Sequence, residues 1–309
     1  MRSLERVMIC GAGAVGSAYA ALLHHLDAGR VTVIAGGERR ARIEREGLTV
    51  NGATFRPRCL APGEPGEPAD LLLVAVKQHH LGAAIDDVRG VVGERTIVVS
   101  LLNGIASEGA LARVFGAEKV LHAFVVGNDA VREGTRTRYS SIGRIVFGAA
   151  SNDPADARVA AVEDLLARAG IPYEVPPDIL RAQWWKFMLN VGVNQVSAVL
   201  RAPYGAFAEV PEVRGLTRAA ALEVVAISQR EGVALGAEDV ERIFPTLAAL
   251  APGGKTSMLQ DVEARRKTEV EIFAGTVVEL GRRRGVPTPV NEVLGQMITA
   301  IERMAGVRG

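Results

Sequence analysis

Near the start of the chain, Gly11-Ala12-Gly13-Ala14-Val15-Gly16 has the glycine spacing of a turn that cradles a dinucleotide. An apolar run precedes it and a helical pattern follows, the context that this chemistry requires. The first glycine allows a tight turn, the second admits a pyrophosphate to the backbone, and the third lets helix and strand pack closely. Unpaired N–H groups and the helix dipole then favour phosphate. A plain glycine turn and a methyltransferase loop are the competing readings. The second predicted strand ends in Ala35-Gly36-Gly37-Glu38-Arg39-Arg40. No acid stands at its tip to take ribose hydroxyls, and Arg39 and Arg40 suit a 2′-phosphate. NADP is therefore favoured over NAD, which Glu38 keeps in play.

Two further positions follow from the same logic. Lys77 and Asn103-Gly104 directly follow predicted strands Leu71–Val76 and Ile97–Leu102. In open α/β sheets ligands bind beyond the carboxyl ends of strands, so both face cofactor or substrate, unless they are a solvated lysine and an ordinary turn. Lys186, Asn190 and Asn194 recur every four residues, sharing one helix face over about 12 Å. Their neighbours Trp184, Trp185, Phe187, Met188, Leu189, Val191, Val193 and Val196 make that helix apolar nearly all round, hence buried. A buried polar stripe needs partners. A ligand supplies them, and so does a polar seam against neighbouring helices. Ser257-Met258-Leu259-Gln260 fits a capping box with Ser257 as N-cap. Glu269, opening another periodic helix, reads on its own as a surface glutamate.

The elements that must position these residues change in texture along the chain. The first part alternates short apolar runs with helical patterns, which predicts a parallel sheet with crossover helices. Predicted strands are Val7–Cys10, Val31–Ala35, Leu71–Val76, Ile97–Leu102 and Val120–Val126. Predicted helices are Gly13–Leu26, Arg39–Glu46 and Ala155–Ala169. Asn51-Gly52 between Leu48–Val50 and Thr54–Arg56 signals a hairpin. Pro57 to Pro68 reads as a loop, and Arg136–Ser140 with Arg144–Phe147 as an antiparallel pair. Beyond Pro176-Pro177 strand patterns nearly vanish. Helical periodicity covers 179–199, 213–231, 237–250, 257–266, 269–284 and 290–304. The expected architecture is an α/β Rossmann-type dinucleotide-binding domain, residues 1–177, followed by an all-α domain, residues 178–309.

Composition narrows the class. Thirty-six lysines and arginines against 35 aspartates and glutamates leave a net charge of +1, no global drive toward nucleic acid or an anionic membrane. Two cysteines, Cys10 and Cys59, make neither a disulfide framework nor a zinc site, and the five histidines have no metal-binding spacing. No metal is expected. No apolar run is long enough to span a membrane. Arg2 and Arg6 before an apolar stretch, with Ala18-Tyr19-Ala20 as a cleavage-like site, imitate an export signal. The glycines at 11, 13 and 16 and the acid Glu5 favour the nucleotide turn instead, and a cytoplasmic protein is expected.

In this order, the glycine turn, Val76-Lys77, Asn103-Gly104, Lys186-Phe187-Met188-Leu189-Asn190 with Asn194, and Ser257-Met258-Leu259-Gln260-Asp261 followed by Thr268-Glu269 resemble the ketopantoate reductase (2-dehydropantoate 2-reductase) family over essentially the whole chain. The resemblance implies NADPH on the first domain, ketopantoate in an interdomain cleft, and hydride transfer to its C2 ketone, giving pantoate for pantothenate biosynthesis. It implies Lys186 as the acid that protonates or polarises the carbonyl oxygen and Glu269 as the catalytic-site carboxylate that holds the substrate hydroxyl. Asn190, Asn194 and Ser257 become substrate-binding positions, with Lys77 and Asn103 at the cofactor–substrate junction. Hydride addition builds negative charge on oxygen, which a preorganised ammonium stabilises. Two departures stand out. Gly36 replaces a common arginine, which weakens the NADP expectation, and Tyr204 stands where an asparagine is common, which leaves the 2-oxo acid open. A reductase of another 2-oxo acid and a non-catalytic NADP(H)-binding sensor are the alternatives. The expected partner is a small 2-oxo acid, and the sequence does not decide between monomer and homodimer.

Overall fold

A computed structural model describes residues 3–307, so Arg2 of the export-like reading lies outside the described residues. The chain divides into two compact units, Met1–Ile179 and Leu180–Gly309.

The described residues of the first unit form twelve strands: β1 (Val7–Cys10), β2 (Val31–Ile34), β3 (Leu48–Val50), β4 (Ala53–Phe55), β5 (Arg58–Leu60), β6 (Leu71–Val74), β7 (Ile97–Ser100), β8 (Val120–Asn128), β9 (Val131–Glu133), β10 (Arg136–Arg138), β11 (Ile142–Gly148) and β12 (Tyr173–Glu174). Eight form one sheet in the order β12-β11-β8-β7-β6-β1-β2-β5. Its pairs are parallel except β8 with β11. β1, β6 and β7 are buried at every position, as expected for parallel strands covered on both faces. One face packs Tyr19, Leu23, Val162 and Leu165 from helices Ala14–Leu26 and Ala157–Arg168. The other packs Leu81, Ala84, Ile85 and Leu111 from helices Leu81–Asp87 and Ser107–Phe115, two helices the hydrophobic periodicity did not reveal. The chain leaves β1 toward β2 on one side, while β6 and β7 lie on the other. The carboxyl end of β1 is therefore a topological switch point, where such sheets bind ligands.

Three expectations about this unit need correction. Residues 57–68 are not wholly loop: β5 adds to the sheet edge beside β2, pairing Cys59 with Val33. Its residues are only half-buried or exposed, so no apolar run announces it. Residues 136–140 and 144–147 do not pair with each other. β10 makes a hairpin with β9 through Gly134, whose φ is +59°, and lies parallel to β3 in a separate four-stranded sheet. β11 pairs instead with β8, matching Ile145 to Val125. The hairpin at Asn51-Gly52 forms as expected, both residues having positive φ.

Among the described residues, every regular element beginning in the second unit is helical. Helix Ile179–Leu200 leads into it. The expected single helix over 237–250 is instead two, Ala237–Glu241 and Ile243–Ala248. Pro245 has no N–H for the carbonyl of Glu241, so a continuous helix fails there, whereas proline is tolerated in the first turn of the second. The segment expected as a helix over 269–284 opens with a wide π turn, Glu271–Gly275, before helix Thr276–Arg284. Helix Pro289–Met304 closes the unit. No helix among the described residues is long and apolar enough to cross a membrane.

Candidate active site

The glycine turn follows β1 with its three glycines in distinct steric positions. Gly11 has φ +102°, and a Cβ there would lie 2.6 Å from the backbone of Ala75, just beyond β6. At Gly16 a Cβ would meet the Gly11 carbonyl oxygen at 2.1 Å. Both glycines are required by the protein's own packing. Gly13 differs: its nearest atom would be 3.9 Å away, so that side is open. Gly13 heads helix Ala14–Leu26, with no side-chain cap and no acid in the first turn. Ala12 is buried and turns its carbonyl oxygen to Ser17 Oγ at 3.1 Å, while Ala14 and Val15 are half-buried. An open, uncapped N-terminus with a glycine at its head fits a pyrophosphate.

The two arginines after β2 take different roles. Arg39 donates from Nη2 to the Ala12 carbonyl at 2.6 Å, which brings it onto the glycine turn. Arg40 is held by Glu44 at 2.8 Å and Glu64 at 3.3 Å. Gly36 is held small by Pro62, whose ring would lie 2.9 Å from an added Cβ.

β1, β6 and β7 end in register, Cys10 beside Val74 and Val74 beside Ser100. Lys77 and Asn103 therefore emerge at the same sheet edge as the glycine turn. Lys77 is exposed at the head of a short 3-10 turn, Gln78–His80. Asn103 is half-buried beside Gly104, whose φ is +90°. Its turn is fixed from below by side chains that sequence reasoning missed. Ser100 Oγ donates to Ser107 Oγ at 2.8 Å, and Ser107 Oγ donates to Glu108 at 3.0 Å, all three residues being buried.

In the second unit, helix Ile179–Leu200 carries Lys186, Asn190 and Asn194. Both asparagines are buried. The Lys186 side chain is half-buried. Loss of water around its ammonium pushes the pKa down to about 8, against the opposing pull of the Glu269 carboxylate. Lysine and glutamate, far apart in sequence, thus act on each other here. Glu269 directly precedes Val270 and the π turn, an irregularity frequent at functional sites. Its segment is fastened by Glu302, a buried carboxylate that accepts the Thr268 N–H at 2.7 Å and lies 3.4 Å from Lys267 Nζ. Nothing in the local pattern around Glu302 announced that role.

Ser257 is not the N-cap. Thr256 is: its Oγ1 accepts from the Leu259 N–H at 3.1 Å and donates to Ser197 Oγ at 3.1 Å. Ser257 is the exposed first residue of helix Ser257–Glu263. The buried tie from Thr256 to the long helix chose between two adjacent hydroxyl residues that local sequence treats alike. Tyr204 packs against the loop before this helix. Its N–H donates to the Gly254 carbonyl at 2.9 Å, and a Cβ on Gly254 would lie 2.9 Å from its ring. Among the described residues no group of three or more His, Cys, Asp or Glu side chains is arranged to hold a metal ion.

Comparison with known proteins agrees across both units. The family model described as Ketopantoate reductase PanE/ApbA matches residues 7–152, and that of the same family's C terminal matches residues 178–302. A 2-dehydropantoate 2-reductase of Halobacterium salinarum is 28% identical over 303 residues, 96% of this chain and 99% of the relative. The crystal structure of a 2-dehydropantoate 2-reductase from Geobacter metallireducens aligns with a TM-score of 0.84 at 27% identity, covering 96% of this chain and 99% of that one. D-mandelate dehydrogenase, solved with NADH and anilino(oxo)acetate, aligns with a TM-score of 0.86 over 98% of this chain and 100% of that one. At 22% identity it shows a shared fold.

Proposed function

We propose, since the chain belongs to the ketopantoate reductase PanE/ApbA family, that this oxidoreductase reduces 2-dehydropantoate to pantoate with NADPH. The observation that carries the reading is Lys186: an ammonium withdrawn from water, lowered to about 8, with the Glu269 carboxylate acting on it. Structural lysines rarely accept such a loss of solvation, and perturbed lysines mark functional sites.

Bound NADPH supplies the hydride that adds to the C2 ketone. The chain's own residues do the rest. Gly13 leaves room for a pyrophosphate, which the uncapped helix N-terminus would hold. Arg39, drawn onto the glycine turn by its bond to the Ala12 carbonyl, would face the ribose phosphate, and Lys77 and Asn103 would meet the reacting end of the cofactor. Lys186 holds the proton at Nζ and delivers it to the carbonyl oxygen as negative charge builds there. With a pKa near 8 it is still mostly protonated at neutral pH, yet a stronger acid than an ordinary lysine. Glu269 keeps that pKa from falling further and accepts the substrate hydroxyl. Asn190, Asn194 and Ser257 hold the remaining polar groups of the substrate.

The test is direct. Purified protein mixed with NADPH and ketopantoate should consume NADPH and form pantoate in equal amounts. No consumption with any 2-oxo acid, despite cofactor binding, would replace the reductase by a sensor. Tyr204 favours a second reading, a different 2-oxo acid, because its ring packs on the loop that leads to Ser257. A substrate panel in which ketopantoate is a poor member would select that reading.

A further inference from the structure

The small sheet contributes two buried polar atoms that the protein's own interactions leave without a partner: Arg132 Nε and Thr137 Oγ1. They belong together. Arg132 of β9 lies directly opposite Thr137 of β10, and directly opposed residues in an antiparallel pair point to the same face. Thr137 is almost fully buried, at 1% exposure. A buried donor with no acceptor is costly, and such atoms in a folded protein call for an explanation.

The surroundings are cationic. Burial pulls the Arg132 guanidinium below its ordinary pKa, and the charges of Arg39 and Arg42 add to the effect. Arg39 is also pulled down by burial, with Cys10 opposing and Arg42 contributing. Three guanidiniums are therefore within electrostatic reach of one another. Their neighbours on the same helix behave otherwise: Arg40 is paired with Glu44 and Glu64, and Arg45 with Glu46. No ion pair is found for Arg39, Arg42 or Arg132 among the described residues. Clustered like charges with unused donors fit an anion of at least two charges. Arg39 itself lies beside the glycine turn, where it donates to the Ala12 carbonyl.

We propose that Arg132 and Thr137 of the small sheet, with Arg42, complete the seat for the 2′-phosphate of NADPH that Arg39 begins. This rests on the reading of the chain as a nicotinamide-dinucleotide reductase. Gly36 leaves the strand tip without a basic side chain, and the hairpin β9–β10 supplies it from elsewhere in the chain. A 2′-phosphate would accept from Arg132 Nε and Thr137 Oγ1 and be flanked by Arg39 and Arg42.

The experiment compares binding of adenosine 2′,5′-bisphosphate with binding of 5′-AMP, by calorimetry, in the wild type and in Arg132→Ala, Thr137→Val and Arg42→Ala. The wild type should prefer the bisphosphate by at least about tenfold, and Arg132→Ala should remove most of that preference while leaving 5′-AMP affinity unchanged. Arg42 is exposed, so Arg42→Ala gives a folded variant in which the preference should fall severalfold. The same variants should raise the KM for NADPH and leave that for NADH unchanged. A wild type that binds both mononucleotides alike overturns the proposal, as does an unchanged preference in Arg132→Ala and Arg42→Ala. If neither NADPH nor NADH binds the wild type, the dinucleotide reading itself falls. Reduction with NADH alone would retain the reductase and remove only the phosphate seat.

Discussion

The glycine turn of the first unit and the Lys186–Glu269 pair of the second are specified in opposite ways. At Gly11 and Gly16 any side chain would collide with backbone at 2.6 Å or less, and at Gly13 nothing of the protein stands within 3.9 Å of the added atom. The turn works by keeping space clear, and neighbouring residues determine it. The pair works through a charge kept from water and a distant carboxylate that tempers it. Its properties depend on packing that joins remote segments of one helical unit. A turn of the first kind tolerates almost no change in shape. A pair of the second kind tolerates shape changes better than charge changes.

The largest expected effect is on the pair. Lys186→Ala should lower turnover by at least ~10²-fold, since it removes the proposed proton donor, while cofactor affinity stays as in the wild type. Steady-state kinetics with a cofactor titration checks this, and retained turnover would take Lys186 out of the acid role. Next come two alanines in the turn. Gly16→Ala should destabilise the first unit by about 1–3 kcal/mol, because the Gly11 carbonyl cannot retreat. Gly13→Ala should leave the melting temperature unchanged and weaken cofactor binding by about tenfold or more, because the methyl fills the space meant for phosphate. Equal thermal losses at both positions would contradict the division of labour between them. The smallest effects concern the neighbours Thr256 and Ser257. Thr256→Ala should cost about 1 kcal/mol through loss of the cap. Ser257→Ala should change stability by less than ~0.5 kcal/mol, as at most exposed positions, and act on the substrate KM instead. Denaturant unfolding together with kinetics separates the two.

The same contrast explains what was readable in the sequence. β1, the glycine turn and the helix after it follow from adjacent residues, and so does the hairpin at Asn51-Gly52. β5 was hidden because an edge strand with exposed residues carries no apolar signal. The β9–β10 hairpin was hidden because the partner of β10 was sought in Arg144–Phe147, while the register actually runs through Arg132 and Thr137. The cap at Thr256 was misplaced by one residue, since Ser197 on another helix decides it. Periodicity placed Lys186, Asn190 and Asn194 on one face but did not connect them to Glu269, which looked like a surface acid. Only the ordered likeness to a known family joined those residues, and the helical unit then showed the electrostatic coupling between the first and the last.

The central claim is that Lys186 donates its proton from a pKa set by burial and tempered by Glu269. Burial lowers the pKa, so the donor is present below about pH 8 and is lost above it. The decisive measurement is kcat/KM for ketopantoate against pH, in the wild type and in Glu269→Gln. The account predicts an alkaline limb near pH 8 in the wild type that moves to lower pH in Glu269→Gln, where the carboxylate no longer supports the ammonium. A limb in the ordinary lysine range, or one that stays in place when Glu269 loses its charge, would contradict it.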